Sequence, residues 1–203
     1  MSGAPPFVAV TGAIGAGKST ALALLARLGA VVISTDEVVH ELYRSAPVVR
    51  AMVDRFGPAV APGGIVSREA VAARVFGDER DREWLEQLLW PLVRQRIGAW
   101  REATIAAAAT AVAPPSALVV EVPLLFESGS ERLYDATIAI LADDGVRRSR
   151  ARSRGQQRLS AREQRQFTPE EKAARSTFVV TNDGTLEQLQ SKLSEILVML
   201  RRV

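Results

Sequence analysis

The stretch VTGAIGAGKST, Val10 to Thr20, sets three glycines and a lysine between two apolar runs. Ahead of it, Phe7–Val10 reads as a short buried strand. Behind it, Lys18–Leu28 carries Leu22, Leu25, Ala26 and Leu28 on one helical stripe, with Gly29 as the stop. From Gly12 to Ser19 the residues fit the pattern G-x-x-x-x-G-K-[ST], in the strand–loop–helix setting that its chemistry requires. Glycines at Gly12, Gly15 and Gly17, with Ala13, Ile14 and Ala16 between them, let backbone N–H groups turn inward around phosphate oxygens. The positive end of the following helix adds its field. Lys18 reaches the outer phosphates as a point charge, Ser19 offers a hydroxyl to Mg2+, and Thr20 closes the binding stretch. The expectation is a site for a nucleoside triphosphate with Mg2+. The loop alone does not say what is done with it, because kinases, switches and ATP-driven machines share it.

Outward from the loop, apolar strands alternate with helical patterns. Val31–Ile33 reads as a second strand, followed by Asp36 as the cap of a helix that starts at Glu37. Pro47–Phe56 reads as helix, GPAVAPGGIVS as loop, and Ser67-Arg68-Glu69 as the start of another helix. Arg80–Val112 is a long helical region that Pro91 is expected to kink or split. Ala117–Val122, Ala136–Leu141 and Phe178–Thr181 read as further strands, and Leu186–Leu200 as an amphipathic closing helix. This order implies a five-stranded parallel sheet covered on both faces, an α/β fold.

Composition narrows the function. The chain has 203 residues and no cysteine, which excludes disulfides, zinc–thiolate sites and cysteine nucleophiles. No basic leader opens it, and the alanine-rich stretch from Ala103 is broken by Pro114 and Pro115. A cytoplasmic protein without a membrane partner is expected. The net charge of +3 is unevenly spread: Arg147–Arg175 holds nine Arg and one Lys against three Glu. Such a segment fits either a polyanionic ligand or a solvated helix face.

Asp36 ends the run VVISTD. In an open parallel sheet the carboxyl ends of the strands line one crevice, so Asp36 and the glycine loop are expected to share it. A carboxylate there accepts a proton from an attacking hydroxyl, or it merely caps the next helix.

The loop, then LGAVVISTDEVVHEL, RFG, VF, WPLV, VPLLFESG and NDGTLEQL, arrive in the order found in dephospho-coenzyme A kinases, and the chain resembles that family from Phe7 to about Leu193. VPLLFESG, Val122–Gly129, is the most specific piece. The resemblance implies ATP-dependent phosphorylation of the ribose 3′-hydroxyl of dephospho-coenzyme A, the last step of coenzyme A synthesis. It implies a P-loop kinase core over 1–36, 113–145 and 176–203, a helical substrate-binding part over about 37–112, and a basic helical lid over about 146–175. By the same resemblance Asp36 falls on the general base and Arg150 and Arg154 on the lid arginines that close over the phosphates. Arg162, Gln166 and Lys172 match the later R-x-x-x-Q…K spacing, and Asn182-Asp183-Gly184 matches the loop near the adenine, with Asn182 and Gly184 as nucleotide contacts. Three positions depart from the family pattern: Ser34-Thr35-Asp36 replaces Asp-x-Asp, Trp90-Pro91 replaces His-Pro, and the link from Arg154 to Gln166 is a few residues short.

Other residues are read more plainly. His40, the single histidine, suits an exposed helix face or a substrate contact. The tryptophans suit a core more than stacking platforms. Glu121, at the end of a strand, suits a carboxylate linked to Mg2+, and Glu127 suits a residue that only fixes its loop. Rival readings are a kinase for another hydroxyl such as a nucleoside or sugar acid, a GTP-dependent switch, and a non-catalytic nucleotide-binding relative. The switch lacks a guanine-reading N-K-x-D motif, and no RNA-binding signature is present, so no nucleic-acid partner is expected. A monomer is favoured.

Overall fold

The computed structural model describes residues 4–153 and 166–200, with side chains described for 4–150 and 166–200. Five strands form one sheet: β1 Phe7–Thr11, β2 Val31–Ser34, β3 Leu118–Glu121, β4 Ala136–Leu141 and β5 Phe178–Thr181. Their spatial order is β2-β3-β1-β4-β5, and every neighbouring pair is parallel. All residues of β1 and β3 are buried, which explains why both read as continuous apolar runs rather than alternating ones. In register, Val10 of β1 and Ser34 of β2 both lie opposite Glu121 of β3, so three strands end at one level.

The helices are α1 Lys18–Arg27, α2 Thr35–Leu42, α3 Ala46–Phe56, α4 Arg68–Val75, α5 Glu79–Ala108, α6 Asp144–Ser153, α7 Pro169–Arg175 and α8 Leu186–Leu200. Contacts divide the chain into two compact units, residues 1–34 with 102–203, and residues 35–101. In the first, Leu24 and Leu25 of α1 and Leu189, Leu193, Ile196 and Leu197 of α8 share a core with Val8, Val10, Ile138 and Ile140 of the sheet. Their helical spacing is the apolar stripe that the sequence displays.

The second unit is helical. Val38, Leu42, Tyr43, Val48, Met52 and Phe56 are among its buried apolar side chains, and Leu89 and Ile97 of α5 add to them. The Gly- and Pro-rich stretch between α3 and α4 forms two 3-10 turns, Pro58–Val60 and Pro62–Gly64. Backbone bonds from Val66 N to Tyr43 O and from Ser67 N to Val60 O, 3.0 and 2.8 Å, close that stretch. Ser67 Oγ then caps α4 by accepting from Ala70 N at 3.3 Å. The Phe56 ring meets Trp84 edge-on at 5.3 Å, and Arg55 lies over the same indole while donating to Asp81. Trp84 is therefore a packing residue.

Two local expectations are revised. Helix α2 begins at Thr35, so Asp36 occupies its first turn instead of capping it. A carboxylate suits that place equally well, because the first-turn amides and the helix dipole favour negative charge. Pro91 lies inside α5, so of the two effects expected of it, a kink or a split, the split does not occur. A proline removes a single hydrogen bond, and a 30-residue helix supplies many others.

Candidate active site

The loop between β1 and α1 is made of backbone. Gly12, Gly15 and Gly17 have φ of +148°, +78° and +96°, values that residues with a side chain rarely adopt. The space outside is also taken. A Cβ on Gly15 would stand 2.6 Å from the Arg147 carbonyl oxygen, one on Gly12 would run into the Ile140 carbonyl, and one on Gly17 into the Asn182 amide. No side chain caps α1 at Gly17, so its first amides are not taken up from within by a cap. Lys18 Nζ folds back over the loop and donates to Gly12 O at 3.0 Å and Ala13 O at 3.2 Å. Ser19, the second residue of α1, is exposed, and Thr20 is half-buried beside it. This cradle fits a triphosphate, and an exposed hydroxyl oxygen beside phosphate oxygens is the hard donor set that Mg2+ prefers.

Two neighbouring segments hold the loop in place. Asn182, buried just beyond β5, donates from Nδ2 to Ala16 O at 2.9 Å, and its own carbonyl accepts both Arg150 Nη atoms at 3.3 Å. Arg147 donates from Nε to Ile14 O at 3.2 Å and pairs with Asp144 at 2.9 Å. Asp183 Oδ1 accepts from Asp143 N at 2.7 Å, which joins the end of β5 to the entry of α6. Phosphate loop, α6 and the Asn182–Gly184 turn thus form one hydrogen-bonded assembly. The sequence pointed to Arg150 and Asn182, but Arg147 was missed. Within a run of arginines nothing marks the one that reaches a loop carbonyl.

The loop after β3 is built differently. Lys172 of α7 is fully buried, and its Nζ donates to Pro123 O at 2.7 Å and lies 3.1 Å from Glu127 Oε1. The same carboxylate oxygen accepts from Phe167 N at 2.8 Å. Burial pushes the Lys172 ammonium below the usual lysine range, and the Glu127 charge opposes that shift. Glu127 Oε2 and Gln166 Oε1 are buried with no hydrogen-bond partner among the described residues. Glu127 does fix its loop, and Lys172 is the partner through which it does so.

The remaining candidates have simpler places. Glu121 is the buried last residue of β3. Asp36 is exposed in the first turn of α2, two residues beyond the end of β2, and its backbone carbonyl accepts from Arg68 Nη2 at 2.5 Å within the helical unit. His40 is exposed on the same helix. Gly184 lies in the turn before α8, which Thr185 and Gln188 close with reciprocal bonds of 3.0 and 3.3 Å. Arg154 and Arg162 lie outside the described residues.

A family model, dephospho-CoA kinase, matches residues 6–188. The chain belongs to the dephospho-CoA kinase family. The Deinococcus radiodurans dephospho-CoA kinase is 37% identical over 196 residues, covering 95% of this chain and 91% of the relative. The Brucella melitensis dephospho-CoA kinase is 35% identical over 194 residues, covering 93% and 92%. Among solved structures, TT1252 from Thermus thermophilus superposes with a TM-score of 0.76 at 32% identity, over 98% of this chain and 99% of the other. As a dephospho-CoA kinase family member, the chain shares its overall fold with that structure over nearly its whole length. Among the described residues no helix is long and apolar enough to cross a membrane.

Proposed function

We propose that the assembly around the glycine loop transfers the γ-phosphate of ATP to the 3′-hydroxyl of the ribose of dephospho-CoA. Family membership makes the chain an ATP-dependent kinase of dephospho-CoA in coenzyme A biosynthesis. The observation that carries the assignment of the donor site is the loop itself. Three glycines in conformations closed to other residues, each with a neighbour where a Cβ would stand, leave bare backbone at these positions, whose amides can turn toward a ligand.

In this reading the amides from Gly12 to Thr20 and Lys18 hold the phosphates. Asn182 and Gly184 lie toward the adenine, and the Asn182 amide supports the loop from below. Ser19 would hold Mg2+, which when bound would supply positive charge against the phosphate oxygens. Asp36 takes the proton from the attacking hydroxyl, and Arg150 and Arg154 stabilise the charge that develops on the transferred oxygens. Residues 1–36, 113–145 and 176–203 act as core, about 37–112 as the coenzyme-binding part and about 146–175 as lid. Ser34 in place of the family's first aspartate leaves one carboxylate, Asp36, to do the work at this turn. We assign the protein to the cytoplasm, as a monomer.

The test is purified protein with Mg·ATP and dephospho-CoA, following ADP release and the position of the new phosphate. Turnover with a nucleoside or sugar acid, and none with dephospho-CoA, would overturn the reading. Within it, Asp36→Asn is expected to keep ATP binding and lower kcat by about 10²–10⁴. A near-parental rate would remove Asp36 as the base.

A further inference from the structure

The chain has 23 arginines and only three lysines, Lys18, Lys172 and Lys192. All three donate to backbone carbonyls at the carboxyl end of a strand. Lys18 reaches Gly12 and Ala13 after β1, Lys172 reaches Pro123 after β3, and Lys192 reaches Thr181 at the end of β5. A compact ammonium with three donors suits a single carbonyl, whereas a planar guanidinium suits carboxylates and phosphates. Lys18 belongs to the phosphate site and Lys192 is surface-exposed. Lys172 is neither, and its side chain has no solvent exposure at all.

A fully buried lysine is costly. Against an apolar side chain of similar volume, a buried ion pair gains little or no stability. What the pair supplies is geometry. Its ammonium ties Pro123, the second residue of the loop, to Glu127 four residues on, and Glu127 Oε1 reaches across to Phe167 N ahead of α7. Pro123 O also accepts from Thr11 Oγ1 at 3.5 Å, and Thr11 is the residue before Gly12. One network therefore spans the root of the phosphate loop, the loop after β3, and the helix by which the basic segment returns to the sheet.

We propose that Lys172 and Glu127 are positioning residues of phosphoryl transfer, holding the 122–129 loop and the returning arm of the basic segment in register with the root of the phosphate loop. This rests on the kinase reading above. The pair touches neither phosphate nor acceptor; it fixes the frame in which they meet.

The experiment is the double variant Lys172→Met with Glu127→Gln, which removes both charges, conserves volume and keeps an acceptor for Phe167 N. Circular dichroism and the melting temperature should match the parent protein. Affinity for ATP, measured by calorimetry, should stay within about twofold, while kcat with dephospho-CoA falls roughly a hundredfold, the scale of an ångström-sized misplacement. A folded double variant with parental kcat and parental KM for both substrates overturns the proposal and leaves the pair as core filling. A loss of ATP affinity in step with kcat also overturns it. Should the double variant fail to fold, Glu127→Gln alone is read the same way, with a several-fold fall in kcat expected and a parental kcat overturning. The parent enzyme is assayed first. If it does not turn over dephospho-CoA, the kinase reading has failed; if it does and the variants match it, only the inference has.

Discussion

Two loops leave the carboxyl ends of adjacent strands, and they are built on opposite principles. The loop after β1 is a backbone device, with glycines at positive φ, neighbours packed where side chains would project, and a lysine folded over its carbonyls. The loop after β3 is a side-chain device, closed by a buried ammonium and carboxylate that arrive from α7 and from the loop's own far end. By the proposal above the first presents amides to a ligand, and its glycines leave no room for a side chain. The second presents nothing obvious, and its shape is borrowed from a helix more than forty residues further along the chain.

Four substitutions test this contrast. Lys18→Ala removes the only side-chain charge of the first loop and is expected to cost about 10²–10³ in kcat, the scale of losing one donor to developing charge. A steady-state assay that finds less than tenfold would put the phosphates elsewhere. Gly15→Ala adds only a methyl, yet it meets both a φ of +78° and the Arg147 carbonyl. It is expected to raise the KM for ATP by roughly tenfold or more and to lower the melting temperature, since strain and overpacking together cost about 1–3 kcal/mol. An unchanged KM for ATP would mean that the loop is less rigid than its geometry implies.

Thr168→Ala addresses the second loop from a distance. It breaks the capping box in which Thr168 Oγ1 accepts from Glu171 N and Glu171 Oε2 accepts from Thr168 N. Loss of such a cap costs about 1 kcal/mol, roughly 2–4 °C in melting temperature for a chain of this size. ATP affinity should be unaffected, and a matching loss there would erase the distinction between the two loops. Tyr134→Phe touches neither. Tyr134 stacks on Phe7 at 4.6 Å, and burial pushes its hydroxyl up to about 12 from 10.0. The folded state holds that proton more tightly, so the contribution is complete below pH 10 and is lost as the pH rises toward 12. The phenylalanine variant should therefore unfold at a higher pH than the parent in an alkaline titration, and parental behaviour would mean that Tyr134 does not drive the loss.

The same contrast explains what was legible in the chain. Glycine spacing, a lysine and a serine are local signals, and they located the first loop and the strands around it. Strands β4 and β5 and helix α8 also lie where apolar runs and periodicity put them. VPLLFESG stood out only through family resemblance, because the partner that shapes it, Lys172, lies in α7. Nothing in PEEKAAR separates a buried lysine from a solvated one. Arg147 was hidden for the opposite reason, as one arginine among many. Asp36 was expected as a cap and sits one residue inside α2, since a carboxylate serves the cap and the first turn equally well.

A wholly parallel sheet has a further consequence. Each strand must be re-entered from its amino end, so every excursion between strands departs from the carboxyl edge. The two largest excursions here, between β2 and β3 and between β4 and β5, begin on the edge that carries the glycine loop. Over evolutionary time such an architecture can exchange the segments that choose an acceptor while its donor-handling centre is left uncut. The two longest segments of this chain can therefore change in length without interrupting β1 and its loop.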